Sequence, residues 1–275
     1  MKPYLKIAAA LAALAALVIG GISFFSHRTE KAEEIGDIVT INGHLEAEHF
    51  FQAKELLTRS TAAKKTVVIT NSTGGNWETN LGIATLIHDH GWDVEVVDLC
   101  ASSCAIFIFP AGKKKYLHPQ AMLAFHGGPH QENLKEQIAA MKQSTETNGA
   151  PVEAHPERID KEGRVSLDPE RAPLRKQIRD FLGIVDATTD EEIAARMTEA
   201  SDRFYEHLGI NILLPHFGQI GQYESIYKSY KHRGFMYRLD SLERLGVRDI
   251  EVKGGGEWRP ERNPVYQDVY EVEYR

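Results

Sequence analysis

A strand–helix–strand pattern constrains the fold of this chain more than any other feature of its sequence. Residues 65–70 form a short, continuous apolar run, and residues 93–99 form a second one. Between them, residues 78–90 have a helical pattern that Gly91 ends. Such short connections predict two parallel strands joined by a crossover helix, with the apolar runs buried on both faces. The loops that follow the two strands should therefore converge at one edge of the sheet.

The same alternation of strands and helices extends along much of the chain and predicts an α/β fold. The domain is expected to span residues 37–253, with a polar insertion at about 144–173 and a weakly specified tail at 254–275. The remaining predicted elements are a strand at 37–43, helices at 47–57, 174–182 and 189–208, a strand followed by a Ser/Asp-capped helix within 235–247, and a strand at 249–252.

Composition and charge exclude several classes of function. The net charge is −7, and no basic stripe runs along any predicted element, which argues against a general nucleic-acid-binding role. The three consecutive lysines at 113–115 are interpreted as a solvated turn. The chain has only two cysteines, and its histidines lack the spacing of a metalloenzyme motif, so neither a metal site nor a cofactor is predicted.

The amino terminus has the pattern of a membrane anchor. Lys2 and Lys6 precede a predominantly apolar run at residues 7–25. At about 1.5 Å per residue, a helix of this length crosses most of a hydrocarbon core that is about 30 Å thick. We expect an anchor at 1–28 and a charged linker at 29–36, with a cleaved signal peptide as the alternative. Both interpretations place the domain outside the cytoplasm, and we expect a single-pass protein of the inner membrane with its domain in the periplasm or extracytoplasmic space.

Residues 98–128 carry the groups that indicate chemistry. Two serines stand in a small-residue turn after the second apolar strand, and an apolar helical segment follows them. A basic turn then leads to another apolar run at 121–125, which ends at His126. This order places a hydroxyl at a helix N-terminus and an imidazole at a strand end. It predicts a serine nucleophile with a histidine base and an oxyanion site formed by backbone N–H groups.

Cys100 and Cys104 flank the two serines. In an oxidising compartment they can form a disulfide, provided that the turn brings their β-carbons within about 4.5 Å. The alternative is a pair of small, buried apolar residues. The sequence leaves both interpretations open.

Two stretches resemble a known family. KTVVITNSTGG, followed after a helix by VVDLCASSCAIFIFPAGKKKYLHPQAMLAFHGG, is similar to the Clp-type serine peptidases of the Clp/crotonase superfamily. The similarity is strongest to their membrane-anchored or periplasmic, ATPase-independent relatives, and FMYRLDSLERLGV resembles the closing helix of that family. The resemblance implies a spiral of ββα units, here preceded by one transmembrane helix, and a homo-oligomer that acts on a peptide or protein substrate.

The resemblance also implies roles for individual residues. The nucleophile of the family falls on Ser102, and its histidine falls on His126. The backbone N–H groups of Gly75 and Ser103 would form the oxyanion hole. One extra residue between the serine and the basic turn leaves Ser103 as an alternative nucleophile.

The third member of the catalytic triad has no match. The aspartate of the family meets Met236, and neither Asp240 nor Glu224 stands at the expected position. We therefore expect an extracytoplasmic serine endopeptidase, with two alternatives that remain open. One is a catalytically inactive member that binds or scaffolds a partner. The other is an acyl-CoA hydratase- or isomerase-like enzyme.

The anchor leads to a first testable prediction. The apolar run at 7–25 should keep the protein in the membrane fraction after carbonate extraction, with the domain accessible to protease from the outer face. Fractionation of cells that express the full chain measures this. A soluble form whose N-terminus lies after residue 20 would show instead that the segment is a cleaved signal peptide.

Overall fold

A computed structural model describes residues 37–127 and 170–275. The predicted anchor at 1–28, the linker at 29–36 and nearly all of the polar insertion at 144–173 lie outside these residues. Within the described ranges, no helix has the length and apolar character needed to cross a membrane.

The fold is a mixed α/β arrangement built on a parallel sheet. Six strands form the main sheet, and every pairing between them is parallel. Two further strands form a small second sheet, which is also parallel. The strands are β1 Asp37–Leu45, β2 Lys65–Gly75, β3 Asp93–Ala101, β4 Lys115–Leu117, β5 Met122–Ala124, β6 Gly234–Tyr237, β7 Ile250–Val252 and β8 Val269–Val272. The predicted parallel pair of strands around the crossover helix is confirmed as β2 and β3.

Strand β3 organises the main sheet, whose order is β1-β2-β3-β4-β7, with β5 also paired to β3. One edge of β3 pairs with β2 along most of its length. The other edge is shared by two short strands, because β4 pairs with Val94, Glu95 and Val96, whereas β5 pairs with Leu99, Cys100 and Ala101. The end of β5 consequently lies beside the end of β3.

Helices cover the sheet and bury its apolar strands. They are α1 Ala47–Arg59, α2 Trp77–Asp89, α3 Phe109–Ala111, α4 Ala172–Phe181, α5 Asp190–Leu208, α6 Glu224–Tyr227 and α7 Leu239–Arg244, with a π-helical turn at Cys104–Ile108 that leads into α3. Helix α2 packs against α1, α4 and the π-helical turn, and most of its residues are buried. Its central position explains why its sequence lacks a polar face.

Capping residues set the ends of the longer helices. The Asn76 side chain accepts a hydrogen bond from the N–H of Thr79 and so begins α2. Thr189 and Glu192 form a capping box that begins α5, and Gly209, at φ 66°, ends it. Helix α7 differs from the prediction of a Ser/Asp cap: its N-cap is Arg238, and Asp240 lies in the first turn of the helix.

Two strand assignments also differ from the sequence-based expectation. Residues 113–115 were predicted to form a solvated turn, but Lys115 begins β4, and its buried Nζ donates to the Gly112 carbonyl at 2.7 Å. The Gly-Gly pair, Gly74 and Gly75, was expected to lie in the loop that follows the apolar run at 65–70, but β2 continues through Gly75 because Leu45 of β1 pairs with it. Backbone pairing extended both strands beyond what their side chains indicate.

The tail after Gly254 is part of the fold, contrary to the expectation of a weakly specified segment. Strand β8 pairs with β6, and the Trp258 indole, which is 5% exposed, donates to the Ala121 carbonyl at 2.7 Å. The Asn263 amide donates to Asp98 Oδ1 at 2.8 Å. These long-range contacts join the tail to β3, to β6 and to the residue before β5.

The buried tryptophan gives a second prediction. Trp258→Ala should lower the free energy of unfolding by about 3–5 kcal/mol, because it leaves a cavity and an unpaired buried carbonyl. Tyr230→Ala is the control, since Tyr230 is 76% exposed, and it should change that free energy by less than about 0.5 kcal/mol. Urea denaturation measures both variants. If the Trp258→Ala and Tyr230→Ala variants were equally stable, the tail would not be packed into the fold as described.

Candidate functional site

Ser102 lies in the short connection between β3 and the π-helical turn. Its φ is 57°, a left-handed conformation that non-glycine residues rarely adopt and that costs about 1–3 kcal/mol. Backbone hydrogen bonds hold it there: its N–H donates to the Ala124 carbonyl at 2.8 Å, and its carbonyl accepts from the Ile106 N–H at 2.9 Å. The half-buried serine is therefore held in a fixed, strained turn.

His126 follows β5 and reaches Ser102. The His126 Nε2 lies 2.5 Å from the Ser102 Oγ. The histidine is exposed to solvent, and the protein around it partly desolvates its ring. This desolvation lowers the pKa of His126, and a hydrogen bond to backbone opposes the shift only in part. The imidazole is consequently neutral near pH 7 and can accept the serine proton.

The structure distinguishes the two serines. Ser103 is buried, and its hydroxyl donates to the Gly75 carbonyl at 3.0 Å. Ser102 is the serine whose hydroxyl contacts the histidine. Ser103 remains the first residue after the nucleophile candidate, at the N-terminus of the helical segment, where backbone N–H groups lack intrahelical acceptors.

The Gly-Gly pair permits a close approach of β1, β2 and the Ser102 turn. A β-carbon on Gly74 would lie 2.7 Å from the Ala101 carbonyl oxygen and 2.9 Å from the Ser102 Cβ. A β-carbon on Gly75 would lie 2.3 Å from the Leu45 carbonyl oxygen. Both positions also have positive φ, so any side chain there would displace the backbone next to Ser102.

The two cysteines that flank the serines are joined. Cys100 and Cys104 form a disulfide with a Cα–Cα distance of 5.3 Å, and both residues are fully buried. The bond links the end of β3 to the start of the π-helical turn, and Ser102 lies between the two bonded residues. It closes the loop that holds the strained serine.

Sequence reasoning did not find Gln219, which lies far along the chain in a turn at Phe217–Gln219. Its Nε2 donates to the His126 carbonyl at 2.8 Å, and the residue is 6% exposed. A single glutamine in an aromatic- and glycine-containing segment has no local pattern that distinguishes it. Only the tertiary contact reveals it.

The structure places the other carboxylate candidates away from the histidine. Glu224 pairs with Lys228, and Asp240 pairs with Arg244, each within its own exposed helical turn. Met236 is fully buried in β6. Among the described residues, no carboxylate hydrogen-bonds or pairs with His126, and the contact that the structure shows is between a serine and a histidine.

No cluster of three or more histidine, cysteine, aspartate or glutamate side chains suited to a metal ion occurs in residues 37–127 and 170–275. Three described histidines outside the site have other contacts. His118 pairs with Glu95 at 2.8 Å, and the rings of His88 and His207 meet edge to face at 4.9 Å.

No protein-family model and no curated protein matches this chain. Among solved structures, an asparagine-to-aspartate mutant of ClpP1 from Listeria monocytogenes aligns with 82% of this chain and 94% of its own. The sequence identity is 15% and the TM-score is 0.37. The fold and site described above stand on their own geometry.

The disulfide gives a third prediction. Native protein alkylated without reduction should carry no modified thiols, because both sulfurs are bonded. Replacing both cysteines with alanine should lower the free energy of unfolding by about 2 kcal/mol, since the bond closes only a short loop. Intact-mass measurement and urea denaturation test the two parts. Two alkylated thiols in the native, unreduced protein would contradict the bond.

Proposed function

We propose that this protein is a serine hydrolase in which Ser102 is the nucleophile and His126 is the general base and acid. The observation that carries the proposal is the 2.5 Å contact between the serine Oγ and the histidine Nε2. The strained backbone of Ser102 supports it, because such strain is concentrated at functional sites.

The reaction would follow the usual course of acyl transfer. Ser102 Oγ attacks the substrate carbonyl carbon while His126 Nε2 takes the hydroxyl proton. The tetrahedral intermediate collapses when the histidine returns that proton to the leaving group, which departs from the acyl-enzyme. Water, deprotonated by the same histidine, then attacks the acyl carbon and releases the acid and the free serine.

Backbone N–H groups beside Ser102 suit the developing oxyanion. The Ser103 N–H stands at the start of the helical segment. The Asn76 N–H donates to Leu45 on β1, and the Gly75 carbonyl accepts from Ser103 on the other side of the strand. Because the N–H and C=O of one strand residue point to the same side, we place the Gly75 N–H toward the serine as well.

The substrate class extends the proposal beyond the geometry. The resemblance to Clp-type peptidases favours a peptide bond, cleaved outside the cytoplasm by an anchored homo-oligomer. The bonded cysteines suit that compartment, since disulfides persist in oxidising environments. Crotonase-type chemistry on a thioester fits less well, because the contact at the site is between a hydroxyl and an imidazole.

A second candidate is a binding protein without catalysis. The observation that favours it is the lack of a carboxylate on His126 among the described residues. Such a protein would use the same cleft to hold a peptide without cleaving it. Covalent labelling of the serine separates the two functions.

The proposal predicts how single substitutions act. A fluorophosphonate probe should label the wild type at Ser102, and Ser102→Ala should abolish the label. His126→Ala should slow labelling severely, and in an activity assay each single variant should lose nearly as much as the Ser102→Ala/His126→Ala double variant, because residues that act as one unit are grossly non-additive. Ser103→Ala should have the milder effect, since its side chain bonds Gly75 and only its N–H is needed.

Rates of labelling, with the modified peptide mapped by mass spectrometry, test these statements. Circular dichroism of each variant controls for folding. If labelling survives Ser102→Ala and disappears in Ser103→Ala, the nucleophile is Ser103. A folded wild type that never reacts would favour the binding protein.

The pH dependence is also predicted. Desolvation lowers the pKa of His126 below its usual value of 6.5, so the neutral base persists into mildly acidic solution. The labelling rate should rise with pH, reach half its maximum below pH 6.5 and then stay level. A half-maximum clearly above pH 6.5 would contradict the desolvated base.

A further inference from the structure

We infer that Gln219 is a positioning residue for the general base, holding the backbone of His126 so that its ring meets Ser102. This inference rests on the proposed function. It assigns to a buried amide the orienting task that a carboxylate performs in a Ser–His–Asp triad.

The contact comes from a buried side chain. The Gln219 Nε2 donates to the main-chain carbonyl of His126 at 2.8 Å, and the glutamine is 6% exposed. Removing the amide would take this donor away from the carbonyl. The hydrogen bond acts on the residue whose ring contacts the nucleophile.

The glutamine is itself held in place. On one side, the His216 Nδ1 lies 3.5 Å from its Oε1, and His216 is also buried. The preceding residue, Gly218, packs so closely on the Phe235 ring that a β-carbon would lie 2.4 Å from it. The Tyr270 hydroxyl donates to the Gly218 carbonyl. The amide is thus presented from a rigid turn.

The residues on both sides of His126 are fixed as well. Phe125 and Phe235 exchange two backbone hydrogen bonds, at 2.7 and 2.6 Å, in an isolated antiparallel bridge. Gly127 has a φ of 97°, and a β-carbon there would lie 2.3 Å from the Gln219 amide nitrogen. The His126 carbonyl lies between the Phe125 bridge and Gly127, and it accepts the hydrogen bond from Gln219.

Backbone placement at His126 affects the Ser102 contact directly. The His126 ring can meet Ser102 Oγ only where the main chain puts its α-carbon within reach, and Gln219 bonds that main chain. A displacement of about 1 Å at a reacting group can cost on the order of a hundredfold in rate. The glutamine therefore affects the reaction without touching the substrate.

The test compares three variants in the full-length protein. Gln219→Ala removes the donor, Gln219→Glu replaces it with a side chain of nearly the same shape, and Gln222→Ala is the matched control on the exposed neighbouring turn. The rate of fluorophosphonate labelling is measured from pH 5 to pH 9, with the folded fraction of each protein recorded at every pH by circular dichroism.

Gln219→Ala should label on the order of tenfold to a hundredfold more slowly than the wild type while remaining folded. Gln222→Ala should match the wild type. The glutamate variant should give a bell-shaped profile. Its protonated carboxyl can donate to the His126 carbonyl, whereas its ionised form, which appears as the pH rises, repels that oxygen, and burial raises its pKa. The wild type lacks this alkaline fall.

The outcomes separate the two proposals. A wild type that is labelled, together with a Gln219→Ala variant labelled at the same rate, would overturn the role of Gln219 and leave the hydrolase intact. A folded wild type that does not react would overturn both. A glutamate variant whose rate falls only in step with its folded fraction would show that the glutamine supports the fold alone, and would also overturn the inference.

Discussion

The parallel pairing of β3 with β5 is the interaction on which the site depends. Leu99, Cys100 and Ala101 pair in register with Met122, Leu123 and Ala124, and the Ser102 N–H continues the ladder to Ala124. In a parallel pair, residues that follow the two strand ends remain neighbours. Ser102 and His126 come one and two residues after those ends. A shift of the register would separate the hydroxyl from the imidazole.

The strained turn at Ser102 persists because the surrounding structure over-determines it. The hydrogen bonds at its N–H and carbonyl, the Cys100–Cys104 bond and the glycine at position 74 all restrict the same few atoms. The π-helical turn that follows is buried throughout, and Tyr205 of α5 donates to its Ile106 carbonyl at 3.2 Å. The many contacts around Ser102 therefore offset the energy of its left-handed conformation.

Sequence reasoning located the elements in which a pattern of apolar residues repeats along the chain. The apolar runs and the helical spacing located β2, α2, β3 and most of α5, because burial imposes a period on the side chains. The order of strand, turn, helix and strand also brought Ser102 and His126 to one edge of the sheet. The pair of cysteines was recognised, but its bonding depended on a turn that spacing alone does not fix.

The parts that sequence reasoning missed depend on contacts between distant segments. Strand β4 begins at Lys115, which no apolar pattern marks as buried, and β8 is a strand because β6 lies beside it. Gln219 is separated from His126 by 93 positions, and its role arises only where the chain returns to the site. Such residues carry no local signal, since their environment is created by packing.

The electrostatics of His126 bear on the proposed reaction. Desolvation lowers the pKa of the ring and disfavours imidazolium, which forms when the serine proton is transferred. In a triad the aspartate offsets that charge. In the proposed reaction, the oxyanion of the intermediate forms in the same step and is a negative charge close to the imidazolium. The two charges would stabilise each other only while both are present, so the proposed reaction couples protonation of His126 to formation of the intermediate.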